Sequence, residues 1–476
     1  MKRRNFIKTS GILTAGGLLM SPASSFGLSG RSDKKRIALV GTGSRGITMW
    51  GKSLMDEYSD RIEFVGLCDS NPGRLSFALE YMGIACPVFT DFTEMMVKTK
   101  PELVIVTTVD ATHDEFIVKG MEMGADVITE KPMTTDEAKC QRILDAERRT
   151  GKKLQVTFNY RYGTLFTRIK EILAEERIGR ITSVDFHWYL NTYHGADYFR
   201  RWHSLRNKSG TLLLHKASHH FDLLNWWIDS DPVEVHAYGK LEHYGKNNAF
   251  RGAKCRSCPH TSSCKFFWDI TKDDFYMKLY AANEMHDGYI RDNCVWREDI
   301  DIFDKMAVQV KYANDVQVSY SLTTYSPYEG LTIAFNGMKG RLDSWQDLPW
   351  REQDKVNQAE RHTKEMDQNA REDETAYDEI VVSDNFGESR MIKVPMLRGG
   401  HGGGDNRLKD AIFRGEPVSD PYHHSAGSRD GAMANLLGIA ARKSIDEGRP
   451  VKIEELTDLK PDAKRGIVHL LTKKNN

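Results

Sequence analysis

The chain has no surplus charge of either sign: lysine and arginine total 67, and aspartate and glutamate also total 67. That balance gives no electrostatic reason to expect nucleic acid as a partner. Beyond the first thirty residues there is no apolar run long enough to cross a bilayer, so no membrane-spanning domain is expected. Internal repeats are absent, and nothing points to a repeat array. Cysteine is sparse, seven among 476 residues, and unevenly placed. What remains is an ordinary globular composition, 40% hydrophobic and 28% charged, in a chain long enough for two domains. Nine tryptophans and 18 tyrosines supply flat amphipathic surfaces suited to sugars, although most such rings are expected in a core.

Residues 1–32 read as a signal segment outside the fold. Lys2, Arg3, Arg4 and Lys8 make a basic start, Gly11 to Met20 is a short apolar run, and small residues follow from Ser21 to Ser25. That run is too short to span a bilayer, as in a cleavable export signal. The pair Arg3-Arg4 before Phe6 resembles a twin-arginine signal, which implies export of an already folded protein. The expected location is the periplasm or another exported compartment, with no membrane association once the signal is removed. An ordinary secretory signal is the alternative.

Residues 33–158 alternate strand-like and helix-like stretches, from Lys35–Val40 through Leu103–Val106 to Leu154–Phe158. Such alternation predicts a doubly wound parallel sheet, an α/β Rossmann domain. Residues 159–476 have a different texture. Apolar and polar residues alternate over 182–190, 233–238, 307–312, 316–323 and 331–335. Period-two runs predict an α+β domain with a mostly antiparallel sheet. A cysteine-bearing insertion lies near 245–300, the polar stretch 351–388 reads as a solvated excursion, and 406–413 and 425–447 read as helices.

The chemistry starts at Gly41-Thr42-Gly43-Ser44-Arg45-Gly46, which ends the first strand and opens a helix, with Asp69 at the end of the next strand. In that context GxGxxG is a dinucleotide fingerprint. Gly41 permits the turn, Gly43 lets the backbone approach a pyrophosphate, and Gly46 lets helix and strand pack. The helix N-terminus supplies unpaired N–H groups for phosphate, and Ser44 and Arg45 lie at that mouth. Asp69 is placed to accept hydrogen bonds from the adenosine ribose, which favours NAD, whereas Ser70 and Arg74 suit the extra phosphate of NADP. Thr108, and His113 at the head of the next helix, belong to the same face.

A further strand ends in Glu130-Lys131-Pro132, and the second half carries His219-His220-Phe221-Asp222. Together with the glycine motif these resemble the Gfo/Idh/MocA oxidoreductase family over most of the chain from about Lys35. The resemblance implies a Rossmann domain followed by a mostly antiparallel α/β domain, and activity on sugars, inositols or polyols with NAD or NADP. It also implies that Glu130 and Lys131 lie at the nicotinamide, Lys131 reaching the substrate hydroxyl, and that His219 is the family histidine. The family pattern is Asp-x-Gly-x-His. This chain departs from it, with His215 at the aspartate position and Ala217 at the glycine. His215 is expected one helical turn before His219 on the same face, where the two could hold a metal with a third ligand. With Lys131 and Lys216 nearby, the site should be cationic, depress imidazole pKa values and favour an anionic substrate or an enolate-like intermediate.

Cys255-x-x-Cys258, Cys264 and Cys294 form a tight group in the insertion. Four thiolates suit a structural zinc or an iron–sulfur cluster, and two disulfides are the rival in an exported protein. Tyr160 and Arg161 are placed in the interdomain cleft, and Tyr193, His194 and Trp202 as a sugar platform with Lys216, joined by Tyr289, Arg291 and Asp292. His401-Gly402-Gly403-Gly404-Asp405 reads as a hinge. The leading expectation is a homo-oligomeric NAD(P)-dependent oxidoreductase acting on a small carbohydrate, with Lys131, His219 and His215 as its proton-handling residues. A glycosidase or lyase that oxidises, eliminates and re-reduces with bound cofactor is the second, and a non-catalytic sugar-binding protein the third.

Overall fold

The first sheet is built from strands whose residues are apolar on both faces. β1 (Lys35–Val40), β2 (Ile62–Cys68), β3 (Val88–Phe89), β4 (Leu103–Val106), β5 (Asp126–Thr129) and β6 (Leu154–Val156) run parallel. Every residue of β4 is buried, as expected of a strand covered by helices on both sides. In this computed structural model residues 34–347, 377–397, 400–415 and 420–466 are described. The signal-like segment lies outside them.

Between these strands the helices carry their own start and stop signals. Asn71 caps Pro72–Met82 by accepting from the Arg74 N–H, and Gly83 ends that helix in the left-handed region. Asp136 caps Glu137–Thr150 in the same way. The helix after the glycine motif opens at Ser44, loosens into a π-turn over Thr48–Lys52, and recovers over Ser53–Tyr58.

The second sheet has nine strands. It comprises β7 (Ile181–Asn191), β8 (Pro232–Lys240), β9 (Lys305–Tyr312), β10 (Gln317–Ser326), β11 (Gly330–Gly337), β12 (Gly340–Gln346), β13 (Tyr377–Asp384), β14 (Ser389–Pro395) and β16 (Val451–Lys452). The order is β14-β13-β12-β11-β7-β10-β9-β8-β16. All its pairs are antiparallel except β7 with β10. Burial alternates along β9 and β10, so one face is covered.

Two features correct the sequence reading. The polar stretch 351–388 is not a solvated excursion throughout, because Tyr377–Asp384 is a ladder strand whose Ile380 and Val382 are buried; residues 351–376 lie outside the described residues. The first sheet also gains an antiparallel edge strand, β15 (Ala426–Gly427), which pairs with β6. The helix that follows, Ser428–Glu447, packs on β6, on Glu137–Thr150 and on β8, and so ties the two sheets together.

The insertion runs from the end of β8 to the start of β9. Its helices Asp274–Leu279 and Glu284–Asp287 lie against Pro72–Met82: Phe275 packs its ring on Phe77 and Tyr81, at 5.8 and 5.2 Å, and Leu279 is buried in that core.

Candidate active site

A cleft of about 2220 Å³ lies along the C-terminal ends of the parallel strands, where ligands bind in doubly wound sheets. Gly41, Gly43, Ser44, Arg45, Asp69, Thr108, Lys131 and His219 all line it. Gly41 has φ +92°, and a Cβ there would lie 2.7 Å from the Thr107 carbonyl. At Gly43 a Cβ would meet only the Tyr280 hydroxyl, at 3.4 Å. The tight turn and the open approach that a pyrophosphate needs are therefore both present, and Gly46 is buried beneath them.

The Asp69 carboxylate closes this end. It accepts from Thr42 N (2.7 Å), Asn71 N (2.9 Å) and Arg74 Nη2 (3.0 Å). Arg74 pairs also with Asp287 (2.6 Å), so its charge is shared between two carboxylates.

Arg45 reaches across the cleft floor. Its Nε donates to Glu130 (2.7 Å), and its two terminal nitrogens donate to Asp405 (2.9 and 3.0 Å). Burial favours a protonated Glu130, but Arg45 and the Trp50 N–H overcome it and hold the pKa below the ordinary value. His113 is buried, with its ring nitrogens 2.9 Å from the Pro132 carbonyl and 3.1 Å from that of Thr108. It braces the loop bearing Lys131.

Lys131 Nζ donates to the His215 carbonyl (2.9 Å). Burial lowers its pKa from 10.5 to about 8, against the opposing pull of Asp110 and Glu130 and with help from Lys216. His219 is buried and stacks on Tyr160 at 4.3 Å. Burial, with Lys131, His401 and Lys216, pushes its imidazole well below the usual range, so it is neutral at pH 7. The expected depression of imidazole pKa is present.

His215 and His219 do not share a helix. The chain breaks at Lys216-Ala217 between Leu212–His215 and Ser218–Ile228. His215 turns to a different partner: its Nδ1 lies 2.6 Å from Asp110 Oδ2, and its ring packs 3.9 Å from that of His203, which stacks on Trp202. Asp110 follows β4 at its C-terminal end and restores, from the first half, a carboxylate for this corner. Burial raises the Asp110 pKa well above 3.8 and drives that of His215 well below 6.5.

Several expected residues stand elsewhere. Arg161 is not a cleft residue: it is 1% exposed and bound bidentately to Asp222 (2.7 and 2.6 Å), with Asp430 at 3.0 Å. Asp292 is buried and accepts from Arg256 N (3.0 Å). Tyr160, Trp202, Lys216, Tyr193, His194, Tyr289 and Arg291 do line the cleft, and Lys216 Nζ lies 3.2 Å from the Tyr160 hydroxyl. The stretch at His401 is a built corner rather than a hinge, since Asp405 holds Arg45 and His401 faces Tyr160 at 5.4 Å. The sequence pattern singles out neither Asp110, His203 nor Tyr280, and it reads Asp405 only as part of a hinge. Asp110 alone had a local signal, its place just past a buried parallel strand.

The metal expectation is corrected. Cys255, Cys258, Cys264 and Cys294 line one void of about 10 Å³, but among the described residues no group of three or more His, Cys, Asp or Glu side chains converges to hold a metal ion. All four are free thiols, so the disulfides are absent too. Arg200 stands in the way of a cation, donating to Cys255 Sγ at 3.0 Å. His215 and His219 likewise hold no metal site among the described residues.

Comparison with known proteins decides the family. Residues 35–158 match the NAD-binding Rossmann fold of the Gfo/Idh/MocA oxidoreductase family, and residues 170–453 match its C-terminal alpha/beta domain. The chain belongs to this family. A Bacillus subtilis (strain 168) protein named "Putative oxidoreductase YteT" is 36% identical over 440 residues, covering 89% of this chain and 98% of its own. The inositol 2-dehydrogenase/D-chiro-inositol 3-dehydrogenase of Lactiplantibacillus plantarum is 23% identical over 189 residues, 40% of this chain and 51% of its own. The WlbA dehydrogenase of Bordetella pertussis, solved with NADH and UDP-GlcNAcA, shares the fold with TM-score 0.57 at 18% identity, over 88% of this chain and 98% of its own. As a Gfo/Idh/MocA protein the chain is an NAD-binding oxidoreductase, with a parallel Rossmann sheet and a mostly antiparallel second sheet.

Proposed function

We propose that this Gfo/Idh/MocA protein oxidises a hydroxyl group of a sugar or polyol, with Lys131 taking the hydroxyl proton. The observation that carries this reading is the position of Lys131, in the cleft between the glycine turn and the histidine corner, with a pKa of about 8. A base works best when its pKa lies near the operating pH. His219, far below that range, is the weaker base and serves as a neutral hydrogen-bonding group beside Lys131. Bound dinucleotide supplies the hydride acceptor. NAD is favoured over NADP because Asp69 and Asp287 already share Arg74. Trp202, Tyr289 and Tyr193 give the aromatic surface a sugar ring needs. The named activities of the inositol and WlbA relatives support the substrate class.

A second reading is favoured by the Asp110–His215 pair. At 2.6 Å, with Asp110 buried and His215 partly so, the two side chains lie within hydrogen-bond reach at a second position near Lys131. Redox-neutral cleavage of a glycoside needs a second proton-transfer group of that kind for the leaving oxygen.

The test supplies NAD with free sugars and polyols, and aryl glycosides in a separate series. Net formation of NADH from free sugars supports the first reading, and aglycone release without net reduction the second. A protein inert in both, whose sugar affinity is unchanged in Lys131→Met, would be a binding protein only. Residues 1–32 are proposed as a twin-arginine signal; secretion that survives Arg3→Lys/Arg4→Lys would exclude that pathway.

A further inference from the structure

Two guanidiniums meet one carboxylate in the wall of the cleft. Asp197 lies in the helix Thr192–Arg200, which follows β7, and Arg201 comes directly after that helix. Arg291 arrives from the insertion. Asp197 Oδ2 pairs with Arg201 at 3.0 Å and Asp197 Oδ1 with Arg291 at 2.7 Å, so each oxygen holds one arginine. Burial favours a protonated Asp197, but Arg201 and Arg291 overcome it and hold its pKa well below the ordinary carboxylate value. The trio therefore keeps one surplus positive charge, and all three residues line the cleft.

The two arginines are held differently. Arg291 is 4% exposed, its guanidinium 4.7 Å from the Tyr276 ring and 4.9 Å from that of Trp268. Rings and carboxylate together make it a fixed part of the wall. Arg201 is the accessible member, with 27% of its side chain exposed. Its Nε and Nη2 turn to Asp197, and among the described residues no acceptor meets Nη1. Its guanidinium lies 5.5 Å from the Tyr198 ring, which packs edge-on to His215 at 5.6 Å. Asp110 feels both Lys131 and Arg201, and Lys131 the more strongly, so Asp110 does not absorb the surplus. The free arm of Arg201 thus stands beside the proton end of the cleft.

A surplus charge in that place recognises a ligand that brings the opposite one. A guanidinium fork fits a carboxylate, and a single surplus charge matches a monoanion. A phosphate monoester, at about −2 near pH 7, would overcompensate it.

We propose that the sugar oxidised here is an acid, a hexuronate or related polyhydroxy carboxylate, with its carboxylate on Arg201 and with Asp197 and Arg291 holding Arg201 in place. The proposal rests on the oxidation reading above and names its substrate class. One substrate carbon gives a hydride to NAD and its hydroxyl gives a proton to Lys131, so each turnover yields one carbonyl compound, its carboxylate intact, and one NADH.

The test uses matched probes on the full chain with added NAD. D-glucuronate and D-galacturonate are each compared with the corresponding neutral uronamide, and NADH formation is resolved into kcat and KM. The expected result is an acid preferred to its amide by about 10- to 100-fold in kcat/KM, the scale of one hydrogen bond to a charged group. Arg201→Met should bring that ratio near one, with the loss falling on KM for the acid, and Arg201→Lys should restore part of it. NAD affinity by fluorescence titration should change by less than about threefold, and thermal melting shows that the variants fold. Amides used as well as acids by the parent protein would overturn the proposal, as would a preference that survives Arg201→Met. An NAD affinity that falls as far as that for the acid would make Arg201 a dinucleotide residue instead. NADH from neutral sugars but not from acids would overturn the proposal and leave the oxidation reading standing. If neither acids nor neutral sugars and polyols yield NADH, the oxidation reading fails, and calorimetry decides the arginine site. A uronate bound at least about tenfold more tightly by the parent than by Arg201→Met keeps that site; uronates bound by both alike, or by neither, overturn it.

Discussion

The two ends of the cleft are built on opposite plans. At the cofactor end one contiguous motif does most of the work: Gly41, Gly43 and Ser44 are adjacent in sequence and adjacent in space. At the proton end the working groups come from distant segments: Lys131 after β5, Asp110 after β4, His215 and His219 from the second half, and His401 from nearly two hundred residues further on. A turn that shapes backbone needs neighbours in sequence, because its information is in φ and ψ. A proton-transfer site needs only side-chain atoms within hydrogen-bond reach, and the fold is free to collect them. The two ends should therefore fail differently when cut.

The largest expected effect separates them directly. Lys131→Met should reduce turnover by about 10³-fold, within the range a general base supplies, while dinucleotide affinity measured by fluorescence titration changes by less than about threefold, half the strength of one ordinary hydrogen bond. Equal losses in both measurements would show that Lys131 holds the cofactor rather than the proton.

Arg161 sharpens the comparison from outside the cleft. It takes no part in the proposed chemistry, but it is buried with Asp222 and paired also with the partly buried Asp430. Removing one partner of a buried ion pair leaves the other charge stranded, so Arg161→Met should cost about 3–5 kcal/mol of stability by denaturant titration. The kcat of the fraction that remains folded should stay near the parent value, which a substrate-binding arginine would not allow.

These two residues show how far sequence reading reaches. Arg161 follows the last strand of the first half, and the linear pattern placed it in the cleft; the side chain turns instead into a carboxylate pair contributed by residues 61 and 269 positions away. The sheets were readable because period two and buried apolar runs are local properties. β13 escaped because its buried Ile380 and Val382 alternate with residues that read as solvated. His215 was readable as a departure from the family pattern, but not its partner: two histidines four apart look like one helix face until the break at Lys216-Ala217 separates them.

The Asp110–His215 pair predicts a smaller, pH-resolved effect. With Lys131 as base, its neutral form grows above pH 8, so the oxidation rate should rise as pH increases through about 8 and level off above it. The Asp110 carboxylate works to raise the Lys131 pKa. Asp110→Asn removes that pull, so the rising limb should move to lower pH by about one unit, with kcat on the plateau reduced less than about tenfold. A limb that stays in place would detach Asp110 from Lys131 and leave it a structural partner of His215 alone.

The smallest expected effect concerns the cysteines, the one group for which sequence spacing and structure part completely. Cys255 and Cys258 have the spacing of a zinc knuckle, and spacing alone implies four thiolates around a cation. The structure instead puts a guanidinium against Cys255, and burial raises that thiol above 9 in spite of it. A thiol that stays protonated is a poor metal ligand, because metal binding needs the thiolate. Elemental analysis of the purified protein should accordingly find no stoichiometric zinc or iron. Overnight exposure to a chelator should leave the melting temperature where it was. Cys258→Ser should change stability by no more than about 0.5 kcal/mol, because the serine hydroxyl can still accept from the His260 N–H that Cys258 Sγ accepts from at 3.5 Å. One metal per chain, or a melting temperature that collapses with the chelator, would return this loop to the reading its spacing first suggested and make Arg200 the residue that must move.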